Sequence, residues 1–453
     1  MKELDSLTSL ALKSAEKKGA EQVEAFILKS RIRSVYIEGS CPRLADDKSE
    51  TGLGLKLSLG KRVGFASGSL SKEKNIEEIV NEAFSIAKTS EEDPHFKSLP
   101  KAEEIRGEVK DIFCKETEKI TTEEIVAKAM KAVKAAEEAK NVKVPLGMLR
   151  LADYSLYVTN SLGVQFDHKG TMVFAYFTAK ATSGDKAGEG IEKEWSTRIA
   201  TIDFEKIGKS IARKAIATLK AESFKGELKG ISLIDPVEAS GLLWVLEFAT
   251  SSEQVNRGRS PWINKLETEV ACKEFTVEDD GRYPGGIRSA LADDEGVETS
   301  RKVIIEKGVL KSYIYDSYNA NIASTKATGN GFRRGTRSIE GSFARPAVCA
   351  YSNMIIKPGK KSLEEMISQI DKGVLVETFA APEVNPVTGG FSCEVRNATL
   401  IEKGQLTKHV KHALLTGNMY ELLKNVAYLG NDVKIVDSFV LPTIAFEDTT
   451  LVG

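Results

Sequence analysis

The histidines are the first residues to consider as metal ligands, and only two of the four lie close together. His409 and His412 belong to the segment KHVKH, and its surroundings, LIEKGQLTKHVKHALL, favour a strand. In a strand, side chains three positions apart point to opposite faces and cannot share a metal ion, whereas on a helix they could. The sequence therefore favours a solvated, lysine-rich strand edge here over a metal site.

Cysteine usage and short motifs point away from other common kinds of site. The five cysteines are odd in number, far apart and without a Cys-x-x-Cys pair, which indicates reduced thiols rather than disulfides or structural zinc. The chain has no phosphate-binding loop, dinucleotide-binding fingerprint or G-x-S-x-G motif. We therefore expect neither a metal nor an organic cofactor in this chain, and no catalytic residue of its own.

A glycine-rich basic segment at residues 329–335 is a candidate for binding substrate. Arg333 and Arg334 carry guanidinium groups that can grip a peptide carboxylate, and Asn330 lies in the same segment. Loops on rigid scaffolds often carry binding residues, but a basic loop without any ligand is the alternative. The acidic run Asp293–Glu295 could attract a cation, yet the glycine that follows it favours an ordinary solvated turn.

The stretch from Pro236 to Val255, PVEASGLLWVLEFATSSEQV, predicts a buried helix. Glu247 is the only ionisable side chain between Ala239 and Ala249, so the helix would be apolar on almost every face. It contains no histidine. A helix that binds zinc needs imidazole nitrogens directed at one point, so this stretch lacks the ligands for zinc. We expect Glu247 to be buried or at the rim, with a hydrogen-bonding partner, because acids in apolar runs are normally paired.

Length and composition describe a soluble globular chain of several domains. The 453 residues suggest two or three domains, of which we favour two, and 41% hydrophobic with 28% charged residues is a globular balance. Lys plus Arg number 64 against 65 for Asp plus Glu, so no global field attracts nucleic acid. The first residues resemble neither a signal peptide nor a membrane span, so we expect a cytoplasmic protein that binds no membrane.

The first half predicts an antiparallel sheet covered by helices, over residues 1–224. Alternating apolar residues predict one hairpin that turns at Gly60–Lys61 and another that turns at residues 160–163. Amphipathic patterns predict a helix near residues 7–11, a second capped by Thr121 with Glu124, and a third capped by Asp203. Residues 225–229 are the expected linker.

The second half, residues 230–453, predicts a β-rich domain with crossing helices. Residues 304–310 and 400–406 share a Lys-Gly turn between apolar runs, which predicts two hairpins and suggests an internal repeat; coincidence is almost as good an explanation. Ser362 and Glu365 predict a capped helix that ends at Gly373. The whole chain is therefore predicted to be an α+β protein of two domains.

Short segments in a characteristic order run through nearly the whole chain. They are GLGLKLSLGKRVGFAS from Gly52, TNSLGV from Thr159, DDEGVETSRKVIIEKGVLKSYIYD from Asp293, ATGNGFRRG from Ala327, SLEEMI from Ser362, KGVLVETF from Lys372, NPVTGGFS from Asn385, LIEKGQL from Leu400, TGN from Thr416 and GND from Gly430. In order and spacing the chain resembles the TldD/PmbA family, and within it the TldE (PmbA) branch. The resemblance implies a subunit of an intracellular zinc metallopeptidase in which TldD-type and TldE-type chains pair.

Members of the family are linked to peptide maturation and antitoxin degradation, and carry the label of modulators of DNA gyrase. The resemblance also implies where zinc ligands would stand. In the TldD branch, the two histidines of a His-Glu-x-x-x-His helix and a late cysteine hold the metal. The His, Glu and His positions fall on Trp244, Val245 and Ala249 here, and the cysteine position falls near Phe439. None of these side chains can bind zinc.

We therefore predict a TldE-like, non-catalytic subunit of a TldD/TldE metallopeptidase that acts on unfolded peptides, with zinc held by the TldD-type partner. The alternative is a partner-free homodimer that binds peptides or regulates without cutting them. Recovery of a His-Glu-x-x-x-His protein with this chain would favour the first hypothesis.

Overall fold

The computed structural model describes residues 2–70, 74–333 and 342–453. Their strands form a seven-stranded sheet in the first half of the chain, and eight-, six- and two-stranded sheets in the second half. Helices are interspersed throughout, which confirms the predicted α+β class. Within the described ranges, no helix combines the length and apolar character that crossing a membrane requires.

The first half, residues 2–220, consists of one sheet and its covering helices. Its strands are β1 (Gln22–Glu38), β2 (Cys41–Leu59), β3 (Arg62–Ser69), β4 (Val142–Lys143), β5 (Leu146–Asn160), β6 (Gln165–Ser183) and β7 (Lys186–Ser196). Its helices are α1 (Lys2–Lys17), α2 (Lys74–Thr89), α3 (Lys115–Lys119), α4 (Thr122–Glu137) and α5 (Phe204–Lys220), with a 3-10 turn at Ile199–Thr201. The strands run in the order β3-β2-β1-β5-β6, and β4 and β7 both pair with β6.

All pairings in this sheet are antiparallel, as predicted. The predicted hairpins β2-β3 and β5-β6 form, and Gly60 turns the first with a φ of 61°. Thr121 and Glu124 make the predicted capping box on α4, and the Asp203 side chain caps α5 by accepting from the backbone N–H of Lys206. These local predictions are confirmed.

The two faces of the sheet are buried by different parts of the protein. On β1, Val23 and Ile27 pack with α1 and α2, whereas Phe26 and Leu28 point the other way and pack with Ile287 and its neighbours from the second half. Alternate strand residues face opposite sides, so one strand serves two cores. The second half therefore covers the face that the helices leave open.

The second half, residues 222–453, contains sixteen described strands and six described α-helices. Its strands are β8 (Glu222–Ser223), β9 (Glu227–Ile234), β10 (Val277–Asp280), β11 (Arg301–Glu306), β12 (Val309–Leu310), β13 (Gly331–Phe332), β14 (Val348–Cys349), β15 (Met354–Ile356), β16 (Lys372–Phe379), β17 (Gly390–Glu402), β18 (Gln405–Lys411), β19 (Ala413–Asn418), β20 (Val426–Leu429), β21 (Lys434–Val436), β22 (Phe439–Leu441) and β23 (Ile444–Val452). Its helices are α6 (Pro236–Leu243), α7 (Val245–Thr250), α8 (Ser252–Asn256), α9 (Ser317–Ala323), α10 (Leu363–Ser368) and α11 (Met419–Leu422).

Five strands of the eight-stranded sheet close into a ring. The order is β16-β9-β23-β19-β17, and β17 pairs back with β16, while β18 and β8 extend the sheet beyond β17. Val374 and Val376 of β16 enter the main core of the second half, whereas Leu375 packs beneath α10. The six-stranded sheet, β12-β11-β10-β15-β22-β21, shares that main core.

Four details of the second half differ from or refine the predictions. Glu227–Lys229, expected in the linker, begin β9, and β8 pairs with β18, so the strand pairing of the second half starts before residue 230. The helix α10 ends at Ser368, and Gly373 lies instead in β16, where an added Cβ would contact the carbonyl oxygen of Ile231. Both Lys-Gly hairpins form, but in different sheets. The division into domains at 1–224 and 230–453 stays a prediction.

Candidate functional site

The predicted zinc-type helix is a run of three short helices, α6, α7 and α8, rather than one. Ser251 separates α7 from α8 with an extended ψ of 121°, and it forms a parallel bridge with Ile314. The hydroxyl of Thr250 donates to or accepts from the Tyr351 hydroxyl at 2.8 Å. Tertiary pairing with residues 314 and 351 therefore overrides the continuous helix that the apolar sequence predicted.

The positions that correspond to the zinc ligands, and to the glutamate between the two histidines, hold apolar side chains. Val245 and Ala249 are fully buried in the main core, and Trp244 and Phe439 are partly buried against it. Indole, isopropyl, methyl and phenyl groups offer no donor for zinc. Within residues 2–70, 74–333 and 342–453, no three His, Cys, Asp or Glu side chains are grouped to hold a metal ion. The residues present do not fit the metal of a zinc peptidase.

Glu247 lies between two of these replaced positions and is held by the protein. Its Oε2 accepts a hydrogen bond of 3.0 Å from the backbone N–H of Tyr351, the kind of partner that the sequence predicted. Burial raises the pKa of Glu247 to about 7, and the nearby charges of Arg288 and Asp437 also act on it. Asp437 precedes Phe439 by two residues, so the late segment of the chain does approach α7.

Asn330 is buried in a polar network beside this region. Its Nδ2 donates to Asp279 Oδ2 at 2.7 Å and to the carbonyl oxygen of Ala350 at 2.9 Å. Asp279 is itself fully buried, and its Oδ1 accepts from Ser352 through the hydroxyl and the backbone N–H. The amide of Asn330 thus fixes β13 and β14 to β10, and its contact with substrate stays a prediction.

Arg333 is fully buried and joins the two halves of the protein. Its Nη2 pairs with Glu24 of β1, its Nη1 donates to the carbonyl oxygen of Arg345 at 3.1 Å, and its guanidinium carbon lies 4.7 Å from the centre of the Phe26 ring. In this arrangement its polar contacts are within the chain, and substrate binding by Arg333 stays a prediction. Arg334, the third predicted substrate-binding residue, lies outside the described residues.

The acidic run Asp293–Glu295, expected in a solvated turn, is buried, so that expectation was wrong. Asp293 Oδ2 accepts from the Gly331 N–H at 2.8 Å, and Asp294 Oδ2 accepts from the Arg333 N–H at 2.7 Å. Burial raises the pKa of Asp293 well above its ordinary value. The run holds residues 331–333 against Glu24 through contacts that no local sequence pattern could reveal.

Strand periodicity does not explain the two glycines of the GLGL motif, Gly52 and Gly54, but their contact with Phe343 does. A Cβ at Gly52 would collide with the Phe343 ring, and one at Gly54 would lie 2.5 Å from the Phe343 carbonyl oxygen. Glycine permits this close approach of backbone and side chain. Two contacts thus join the halves here: the Arg333–Glu24 ion pair, and Phe343 packed against Gly52 and Gly54. We call these five residues the latch between the halves.

The two close histidines lie apart from this region. His409 is on β18, where its Nδ1 shares a 2.9 Å hydrogen bond with the Thr399 hydroxyl, and His412 follows the strand in a left-handed conformation with φ of 55°. The strand prediction for His409 is confirmed.

Comparison with known proteins gives a consistent result along the chain. Three family models of the PmbA/TldA metallopeptidase match it: domain 1 at residues 23–87, the central domain at 115–219 and the C-terminal domain at 232–453. An uncharacterised protein of Methanocaldococcus jannaschii is 29% identical over 96% of this chain and 97% of its own length. A metalloprotease of the same organism is 26% identical, over 89% and 90%.

Solved structures show the same architecture. The crystal structure of TldE from Thermococcus kodakarensis superposes with a TM-score of 0.90 at 25% identity, over 99% of this chain and 100% of that chain. A Thermotoga maritima protein described as a modulator of DNA gyrase superposes with a TM-score of 0.86 at 24% identity, over 99% of both chains. The second likeness concerns the fold alone.

Proposed function

Because the chain belongs to the PmbA/TldD metallopeptidase family, we propose that it is a TldE-type subunit without zinc of its own that works with a TldD-type partner. The observation that carries the proposal is that apolar side chains replace the three expected ligands, at Trp244, Ala249 and near Phe439, and the expected glutamate between the histidines, at Val245. Restoring the site would need several simultaneous changes, because zinc requires three protein ligands directed at one point. The structural likeness to a TldE supports the same conclusion.

In the proposed complex, the partner holds zinc and hydrolyses the peptide, and this chain helps to enclose the peptide. An extended, unfolded peptide can pair with strand edges through its backbone, which gives affinity with little dependence on sequence. Peptide maturation and antitoxin degradation are the proposed processes, and the cytoplasm is the proposed location. Direct contact of Asn330 or Arg333 with peptide would require their buried hydrogen bonds and ion pair to open, so we propose that both position the segment that meets the peptide. Arg334 stays the residue proposed to bind substrate directly.

The decisive experiment compares the chain alone with the chain co-expressed with a TldD-type protein. We expect no stoichiometric zinc and no peptide cleavage from the chain alone, and zinc-dependent cleavage from the complex. Substituting a zinc-helix histidine of the partner should abolish cleavage. The matched change here, Glu247→Gln, keeps an oxygen for the Tyr351 N–H and should preserve cleavage.

Stoichiometric zinc in the lone chain, with chelator-sensitive cleavage, would overturn this division of labour. Recovery of self-dimers only, with no zinc-helix protein attached at native expression, would favour the homodimeric alternative instead.

A further inference from the structure

A cavity of about 600 Å³ lies between the two halves, away from α6, α7 and α8. Strands β6 and β7 with the residues before β5 line one side, and β17 with the end of β18 lines the other. Its size is that of sites that bind small molecules or single peptide residues, roughly 300–1,000 Å³. No residue of the latch lines this cavity, and neither does any position that corresponds to the zinc site.

The two sides of the cavity differ in chemistry. The first half contributes a largely apolar wall that includes Pro145, Leu146, Tyr176 and Ile191. Leu146 is 55% exposed and lines the cavity. This wall can accept an apolar side chain.

The second half contributes a cationic wall. Arg396 and Lys411 line it together with the imidazole ring of His412, and Lys180 of β6 adds a further positive charge. Two acids also line the cavity: Glu394, and Glu189, which forms a 3.0 Å ion pair with Arg396. Three cationic side chains against two carboxylates leave an excess of one positive charge, so the cavity suits a single anionic group.

A contact between the halves holds Lys411 in place. Its Nζ donates to the carbonyl oxygen of Thr218, near the end of α5, at 3.2 Å and to that of Ala187 at 3.5 Å. The backbone N–H of the next residue, His412, donates to the Val395 carbonyl oxygen at 3.0 Å, in a left-handed turn. A ligand would therefore meet the Lys411 charge already positioned, which lowers the ordering cost of binding.

We propose that this cavity binds the carboxyl-terminal residue of a peptide. The carboxylate lies against Arg396 and His412, since a guanidinium can pair with it through two parallel hydrogen bonds, and the apolar side chain lies against Leu146 and Tyr176. This inference rests on the proposed function, because it assigns to the same protein a place where a peptide substrate or product is anchored.

The test uses the full chain and two small probes, N-acetyl-leucine and N-acetyl-leucinamide, titrated while the protein is observed by NMR. The acid should bind saturably, and the amide about tenfold or more weakly, because charge-assisted hydrogen bonds are lost. Arg396→Gln should weaken the acid about tenfold, and Leu146→Ser should weaken both probes. Lys408→Gln, which removes an exposed ion pair with Glu222 outside the lining, should change neither.

Equal affinity for acid and amide, or unchanged binding in Arg396→Gln, would overturn the proposal. Tighter binding of inorganic phosphate than of N-acetyl-leucine would also overturn it and indicate a general anion site. These results are independent of the zinc assay: a complex that cleaves peptides while N-acetyl-leucine fails to bind keeps the proposed function and removes this inference.

Discussion

Replacing Arg333 with methionine should destabilise the protein by an amount that depends strongly on pH. The side chains of Arg333 and Glu24 are 0% and 1% exposed. They form an ion pair with each other in the latch between the halves. Removing one partner of a buried pair typically costs about 3–5 kcal/mol, because the other charge is left without compensation. Glu24 can become neutral by taking up a proton, whereas the guanidinium of Arg333 keeps its charge.

The free energy of protonating Glu24 depends on pH. Burial raises the pKa of Glu24, and the charge of Arg333 opposes the rise, so removing Arg333 favours the protonated carboxyl. Starting from an ordinary pKa of 4.5, protonation costs about 3.4 kcal/mol at pH 7 and about 0.7 kcal/mol at pH 5, at about 1.36 kcal/mol per pH unit. A raised folded pKa gives stability that is present below the unfolded pKa and lost as pH rises. The wild type loses part of the same stability, because the pKa of its Glu24 is raised too, so Arg333→Met should cost up to roughly 3 kcal/mol more at pH 7 than at pH 5.

The assay is urea unfolding of the wild type, Arg333→Met, Glu24→Gln and the double variant, at pH 5 and pH 7. Glu24→Gln removes the carboxyl and leaves a guanidinium that cannot lose its proton, so its cost should not be larger at pH 7 than at pH 5. Arg31→Met is the matched control: its pair with Asp47 is 45% and 36% exposed, and its loss should cost under about 1 kcal/mol. An equal cost of Arg333→Met at both pH values, or a double variant equal to the sum of the single ones, would refute the reasoning.

Three further predictions concern packing, capping and pH. Gly52→Ala should cost about 1–3 kcal/mol in the free energy of unfolding, because its Cβ meets the Phe343 ring, whereas Gly390→Ala, whose Cβ has only an ordinary contact, should be tolerated. Thr121→Ala should cost about 1 kcal/mol by removing the capping box of α4, measurable by urea unfolding, and an unchanged midpoint would contradict it. The melting temperature should be higher at pH 6 than at pH 8, because burial raises three carboxyl pKa values to about 7 and their stabilisation is lost as pH rises through that value; a flat or rising profile would count against it. These carboxyls belong to Glu238, Glu247 and Asp316.

Features that depend on a few neighbouring residues could be read from the sequence. The capping boxes at Thr121 and Ser362 each join residues three apart, and each Lys-Gly turn is set by left-handed backbone at two adjacent residues. The strand periodicity of β2 and β3 was equally local. In each of these features, the residues that interact are close neighbours in the sequence.

Features that depend on distant partners could not be read in this way. Asp293 and Asp294 resemble a solvated turn until residues 331–333 supply their hydrogen-bond donors, almost forty positions later. The apolar run from Pro236 predicts one helix, and the bridge between Ser251 and Ile314 breaks it. The motif glycines show the same limit, since the need for Gly52 lies in the ring of Phe343.

The closed ring of five strands sets the order in which the second half can assemble. Ile444 of β23 pairs with Ile234 of β9, 210 positions earlier in the chain, and β23 also pairs with β19. Until β23 has been synthesised, β9 and β19 present unpaired edges, which are sites for aggregation. The sheet of the first half is complete once β7 has been synthesised, whereas the sheet of the second half must wait for β23, so chaperone dependence should be greater for the second half.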